Sequence, residues 1–338
     1  MGRHILVMGT ALWLGTVALA SADTVLTVAN WLPPSHPLVS EVIVPLTEKI
    51  AEATHGQVRA TILPAPLGPP GAHFDFAVNG VADITFGVQG YTPGRFKTTN
   101  LVELPFLGES AEDISVAYWR VWDKYLKPAG EYDQVKVLAV FSHGPGEVFL
   151  KSGDPTATNV LENKKIRVGG GIVHEVVSTL GAVPVEGPSS KSYELLSQGV
   201  ADGITFPYES VAYFKLIPQL KTAIAVPGGL FNTSFYIVMN KAKWDSLTPD
   251  QQAEIDSVTG EALARMAGQM WDCADAKGRA EMQGKIAIST ATEDQMAEWR
   301  AALQPLIDAK LAEAASTGID VQTAYDMLEA EIAAEAAK

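Results

Sequence analysis

Asn79-Gly80-Val81-Ala82-Asp83-Ile84-Thr85-Phe86 returns 119 residues later as Gln198-Gly199-Val200-Ala201-Asp202-Gly203-Ile204-Thr205-Phe206. In both copies a helical stretch runs into a Gly, the residue that takes a left-handed helix end without a Cβ penalty, and a short apolar strand follows. The chain is read as building one helix-turn-strand unit twice, once in each of two lobes; a chance likeness of two helix ends is the plainer alternative. Working outward, Val25 to Ala29 reads as a strand, and Trp31-Leu32-Pro33-Pro34-Ser35-His36-Pro37 as a loop stiffened by three prolines. Val39 to Ala53 has helical apolar spacing, and Val58 to Leu63 alternates as a second strand. Strands alternating with helices predict an α/β architecture with crossover helices on largely parallel sheet. After the strand Phe235 to Met239 the pattern turns almost wholly helical. Thr248-Pro249-Asp250-Gln251 opens a long helix expected to run through Met270, and Thr292-Glu293-Asp294-Gln295 repeats the capping signal.

The chain has 338 residues, 47% apolar and 19% charged, a globular composition long enough for two domains. With 25 Lys and Arg against 39 Asp and Glu the formal charge is −14, so nucleic acid is repelled over most of the surface and is excluded as a partner. An anionic ligand needs a local positive feature working against that field. The lone Cys273 excludes a disulfide framework and a Cys-based metal site. At the N-terminus Arg3 and His4 precede an apolar run from Ile5 to Leu19, and Ala20-Ser21-Ala22 has the form of a cleavage site. Residues 1–22 are therefore read as a secretory signal peptide, and the mature protein as exported.

No G-x-S-x-G, H-E-x-x-H or G-x-x-x-x-G-K-[ST] motif occurs, and the five later histidines have no ligand-like spacing. No metal, cofactor or catalytic residue is expected. Lys164-Lys165-Ile166-Arg167-Val168-Gly169-Gly170-Gly171 leads from a strand into a helix over Ile172 to Leu180. It fails the dinucleotide fingerprint, because His174 stands at the third Gly position. Glycines at a helix N-terminus nevertheless leave free amides for an anion, and Arg167 can add a two-pronged, charge-assisted hydrogen bond. These residues alone fit an anion clamp and a surface ion pair beside a flexible loop equally well.

Taken together, the exported N-terminus, the Trp31 to Pro37 loop, Gly80-Val81-Ala82-Asp83, the run from Phe96 to Leu104-Pro105-Phe106-Leu107, Lys165-Ile166-Arg167-Val168 and Gly199-Val200-Ala201-Asp202-Gly203 resemble the solute-binding proteins of tripartite ATP-independent periplasmic (TRAP) transporters. The resemblance runs in order along essentially the whole mature chain. It implies a two-lobed periplasmic-binding-protein-like fold with a ligand cleft between the lobes and a long connecting helix. The expected division is residues 23–143 plus 234–272 in lobe I and 144–233 plus 273–338 in lobe II. It also implies periplasmic location, hinge closure on a small organic anion, and delivery to small and large integral membrane subunits. The Arg of the K-I-R-V strand usually pairs with the ligand's carboxylate in that family, and here it is Arg167.

Departures from the family's sugar-acid binders indicate the ligand. Trp31, Val88, Tyr91, Gly170 and Phe206 stand where Asn, Glu and Arg are frequent, and a second Arg is replaced by the stretch Ser142-His143-Gly144-Pro145-Gly146. Hydroxyls buried against rings lose water without recovering hydrogen bonds, at roughly 1 to 3 kcal/mol each, whereas a flat apolar body gains about 25 cal/mol per Å². The expected ligand is an aromatic monocarboxylate such as benzoate or a hydroxybenzoate. Arg167 and the glycine amides would hold its carboxylate, Trp31, Val88, Tyr91, Phe206 and Phe231 would wall its ring, and His143, Tyr91, Tyr208 or Ser189 would meet any hydroxyl. An aliphatic 2-oxo or 2-hydroxy acid, a sugar acid or a sulfonate is the alternative within the same transport role, and an exported enzyme is the alternative outside it.

Overall fold

Thr24–Val28 (β1) buries Leu26 and Val28 and leaves Val25 to solvent, the alternation of a strand covered on one face. The computed structural model describes residues 23–338, so the expected signal peptide lies outside the described residues. β1 pairs in parallel with Val58–Ile62 (β2), Leu26 standing opposite Ala60, and then with Ile84–Val88 (β3). The chain continues through Val135–Ser142 (β4), Glu147–Leu150 (β5), Lys165–Val168 (β6), Val183–Glu186 (β7), Gly203–Phe206 (β8), Thr222–Ala225 (β9), Ser234–Asn240 (β10) and Ala287–Thr290 (β11). Two sheets result, ordered β2-β1-β3-β10-β4 and β11-β9-β5-β8-β6-β7. Each is mixed, because β10 runs antiparallel to both neighbours in the first, and β5 does so in the second.

The repeated unit is built alike in both lobes. Helices His73–Val78 and Ser192–Ser197 run out into Gly80 (φ +68°) and Gly199 (φ +72°), Ala82 and Ala201 are buried, and the Asp that follows pins the neighbouring strand. Asp83 Oδ2 accepts from the Thr27 N–H at 2.7 Å, and Asp202 Oδ2 from the Lys165 N–H at 2.9 Å. Each carboxylate thereby aligns an inner strand, β3 or β8, with the partner strand beside it.

The backbone passes between the sheets three times: at His143 to Gly146, at Val226 to Thr233, and along the helix Glu261–Met282. That helix carries two anchors. Asp272 accepts from Ser110 Oγ and from the N–H groups of Ala111 and Glu112, capping the first-lobe helix Ala111–Val121. Asp275 accepts from the Glu209 N–H at 2.6 Å, at the start of the second-lobe helix Tyr208–Tyr213. Gly268 and Gly278 let those two helices approach; a Cβ on Gly278 would lie 2.6 Å from the Tyr208 carbonyl oxygen.

The structure corrects the C-terminal reading in three places. Both capping boxes form, but the helix opened by Thr248 is Pro249–Ser257, and the next starts only after Gly260 at φ +64°, where a Cβ would lie 3.0 Å from the Trp119 ring. β11 interrupts the helical third and adds an edge to the second sheet. The last helix, Val321–Ala336, was expected with the second lobe. It packs instead on Ala111–Val121, where Leu328 and Ile332 join Tyr118 and Val121 in one apolar cluster.

Candidate functional site

Along β6, Ile166 and Val168 point into the apolar core and Arg167 points the other way, into the space between the lobes. Arg167 is 1% exposed. Nε and Nη2 both donate to the Gly187 carbonyl, at 3.0 and 2.6 Å, and the guanidinium carbon sits 4.3 Å above the Phe206 ring. No carboxylate among the described residues lies within ion-pair distance of it. Burial pulls its pKa below the usual arginine range, partly offset by Tyr91 beside it. A buried cation without a counter-ion carries a desolvation cost of several kcal/mol, which an anion arriving in the cavity would offset.

The cavity lies between the lobes and is lined from both. From the first lobe come Trp31, Val88 and Tyr91. Trp31 is locked by its indole N–H on the Phe86 carbonyl at 3.1 Å and meets Tyr91 edge to face at 5.9 Å. From the second come Arg167, Gly170, Ser189 and Phe206, with Phe214 stacked on Phe206 at 6.0 Å. His143 and Phe231 come from the crossing segments. The lobes touch at the rim. The Ser189 N–H donates to Tyr91 Oη at 2.9 Å, and a Cβ on Gly170, itself at φ +88°, would lie 2.7 Å from the Gly90 carbonyl oxygen.

Nine of the ten expected residues therefore share one cavity. Tyr208 does not: Pro207 turns the chain into the helix Tyr208–Tyr213, and the ring packs edge-on against Phe149 at 5.6 Å, with Arg279 above it at 5.3 Å. The expected amide cradle also differs. Gly169 and Gly170 line the cavity, but the Ile172 N–H at the helix start faces the buried Glu103 carboxylate at 3.5 Å. Glu103 also accepts from the Ser234 N–H and Oγ. Arg167 is thus left as the charged group offered to a ligand.

Trp271, Phe235, Thr233 and His36 also line the cavity and were not foreseen. Trp271 and Phe235 sit in apolar runs indistinguishable from core, and His36 lay among histidines without ligand spacing. The His36 Nδ1 accepts from the Leu38 N–H at 3.1 Å, so in the neutral ring Nε2 carries the proton, toward Glu209 Oε1 at 3.6 Å. Burial lowers the His36 pKa to about 4 and raises that of Glu209 to about 7.

Residues 28–314 match the family of bacterial extracellular solute-binding proteins, family 7 (DctP). The chain is 30% identical to the outer membrane transporter protein TsaT of Comamonas testosteroni, over 96% of this chain and 97% of that one. A TRAP periplasmic solute-binding protein from Bordetella bronchiseptica, solved with bound (R)- and (S)-mandelate, superposes with a TM-score of 0.89 at 37% identity, covering 91% of this chain and 98% of that one. A marine metagenome TRAP solute-binding protein described as specific for aromatic acid ligands, in complex with 3-hydroxybenzoate, gives 0.86 at 32% identity, covering 93% and 99%.

Proposed function

We propose the following for this chain, which belongs to family 7 of the bacterial extracellular solute-binding proteins: in the periplasm it captures a small aromatic monocarboxylate and hands it to the small and large membrane subunits of a TRAP transporter. The observation that carries this reading is Arg167, a buried guanidinium with no carboxylate partner among the described residues, facing a cavity walled by Trp31, Tyr91, Phe206, Phe231 and Phe235. A carboxylate on Arg167 completes the missing ion pair in a dry site. A phenyl ring burying roughly 150 Å² adds about 4 kcal/mol. A sugar acid would lose roughly 1 to 3 kcal/mol for every hydroxyl left unpaired against the rings.

The mechanism is hinge closure. The ligand enters the open form, Arg167 from the second lobe takes its carboxylate, and Trp31 and Tyr91 from the first lobe cover its ring. Ligand contacts made to both lobes at once exist only in the closed form, so binding shifts the population toward it. The Tyr91–Ser189 bond and the Gly90–Gly170 contact then close the rim.

Calorimetric titration of ligand-stripped protein with benzoate, hydroxybenzoates, phenylacetate and glucuronate tests the reading. Saturable binding of aromatic acids alone supports it; binding of glucuronate with no response to any aromatic acid overturns it. Ligand recovered chemically unchanged after long incubation separates capture from catalysis.

A further inference from the structure

Two histidines line the cavity, and their hydrogen bonds fix them as opposite tautomers. The His143 Nδ1 lies 2.6 Å from the Gly144 carbonyl oxygen, which can only accept, so Nδ1 carries the proton. Burial lowers the pKa of this ring to about 4, leaving it neutral in the periplasmic range. Its Nε2 is therefore a bare lone pair, and it has no hydrogen-bond partner among the described residues. His143 stands on a different wall from Arg167: its ring neighbours are Phe231 at 5.7 Å, Phe235 at 6.1 Å and Trp271 at 5.9 Å. A plain benzoate ring offers this lone pair no donor, and an acceptor left unpaired once a ligand displaces water costs roughly 1 to 3 kcal/mol.

We propose that the physiological ligand carries a hydroxyl group, which donates to His143 Nε2. The proposal rests on the aromatic-acid reading and deepens it. A hydroxyl supplies the proton that this lone pair needs. An ether oxygen sets a lone pair against a lone pair at His143. A second carboxylate does the same. The site therefore selects hydroxy-substituted monocarboxylates over their parent acids, methoxy analogues and dicarboxylates.

The test is a calorimetric panel on ligand-stripped full-length mature protein at pH 7.5. It comprises benzoate with its three hydroxy, three methoxy and three carboxy derivatives, and phenylacetate with its α-hydroxy and ring-hydroxy derivatives. The expected result is that at least one hydroxy compound binds about tenfold or more tighter than its parent, while its methoxy and carboxy counterparts bind more weakly than the parent. In His143→Leu the hydroxy-to-parent affinity ratio falls to within about threefold of unity, while the parent acid still binds. Parent acids binding as tightly as every hydroxy derivative would overturn the hydroxyl assignment and leave the aromatic-acid reading standing, as would a ratio that survives in His143→Leu. No binding of any aromatic acid would overturn the aromatic-acid reading itself.

Discussion

Replacing Arg167 by Met separates a ligand-binding cation from a structural one, because the two roles predict opposite effects on the empty protein. In the wild type the guanidinium is buried without a counter-ion among the described residues, and what holds it is the Gly187 carbonyl and the face of Phe206. An unpaired buried ion costs several kcal/mol. Against that, Arg167→Met forfeits a cation–π contact of about 2 kcal/mol and leaves the Gly187 carbonyl short of donors, at roughly 1 to 3 kcal/mol. These terms nearly cancel, so ligand-free Arg167→Met should unfold with a free energy within about 1 kcal/mol of wild type, or above it. Binding behaves differently. Removing one partner of a buried ion pair costs about 3 to 5 kcal/mol, so benzoate affinity should fall by roughly 10²- to 10⁴-fold. Urea unfolding of ligand-stripped protein and calorimetry with benzoate read the two numbers independently. Should the empty variant lose more than 2 to 3 kcal/mol while still binding within tenfold of wild type, Arg167 is a brace of the second lobe and the argument from its missing partner fails.

Glu209 provides a pH test. Burial raises its pKa from 4.5 to about 7, so its contribution to stability is fully present below about pH 4.5 and is lost as pH rises through 7. Around it stand neutral His36, the Ser210 hydroxyl, which donates to it at 2.7 Å, and Asp275 behind its own N–H. Relative to wild type, Glu209→Gln should gain roughly 3 kcal/mol of unfolding free energy between pH 4.5 and pH 8; parallel stability curves over that range would show that Glu209 does not titrate there. Gly90→Ala should leave the open, empty protein as stable as before, because Gly90 is not in a left-handed conformation, yet weaken ligand binding severalfold by setting a methyl 3.1 Å from the Gly170 carbonyl oxygen in the closed form. An unchanged affinity in this variant would mean the rim is not closed at that point when ligand is bound. Tyr208→Phe removes a buried hydroxyl with no partner among the described residues, so it should leave affinity unchanged and stability equal or slightly higher; a tenfold loss of binding would place Tyr208 back in the site.

The lobes were legible because their signals are local. A Gly that must take a left-handed turn, and an Asp that must hold the next strand, recur as Gly80-Val81-Ala82-Asp83 and Gly199-Val200-Ala201-Asp202 with nothing else required. Arg167 was legible only through the resemblance of its K-I-R-V strand to that of the family, because the residues around it fitted a ligand clamp and a surface ion pair equally well. What could not be read is whatever depends on contact between distant segments. Trp271 and Phe235 line the cavity from stretches whose apolar spacing is that of any core element, and the tautomer of His143 depends on the carbonyl of Gly144 as folded. The break at Gly260 and the docking of Val321–Ala336 follow from Trp119 and from the face of Ala111–Val121, neither of which a local pattern reveals. The helix start at Ile172 was read correctly, but not the occupation of its amide, which faces Glu103, nearly seventy residues upstream.

Asp272 and Asp275 hold the N-termini of helices from opposite lobes, and at a rise of 1.5 Å per residue they are only about 4.5 Å apart along one helix. The two halves of the molecule thus share an axle, with their grips almost side by side. Turning one half against the other about a line through that spot hardly stretches either grip, while atoms at the distant lips sweep through a wide arc. Large travel at the mouth then needs little deformation at the bearing, and the free energy of capture goes into the swing itself.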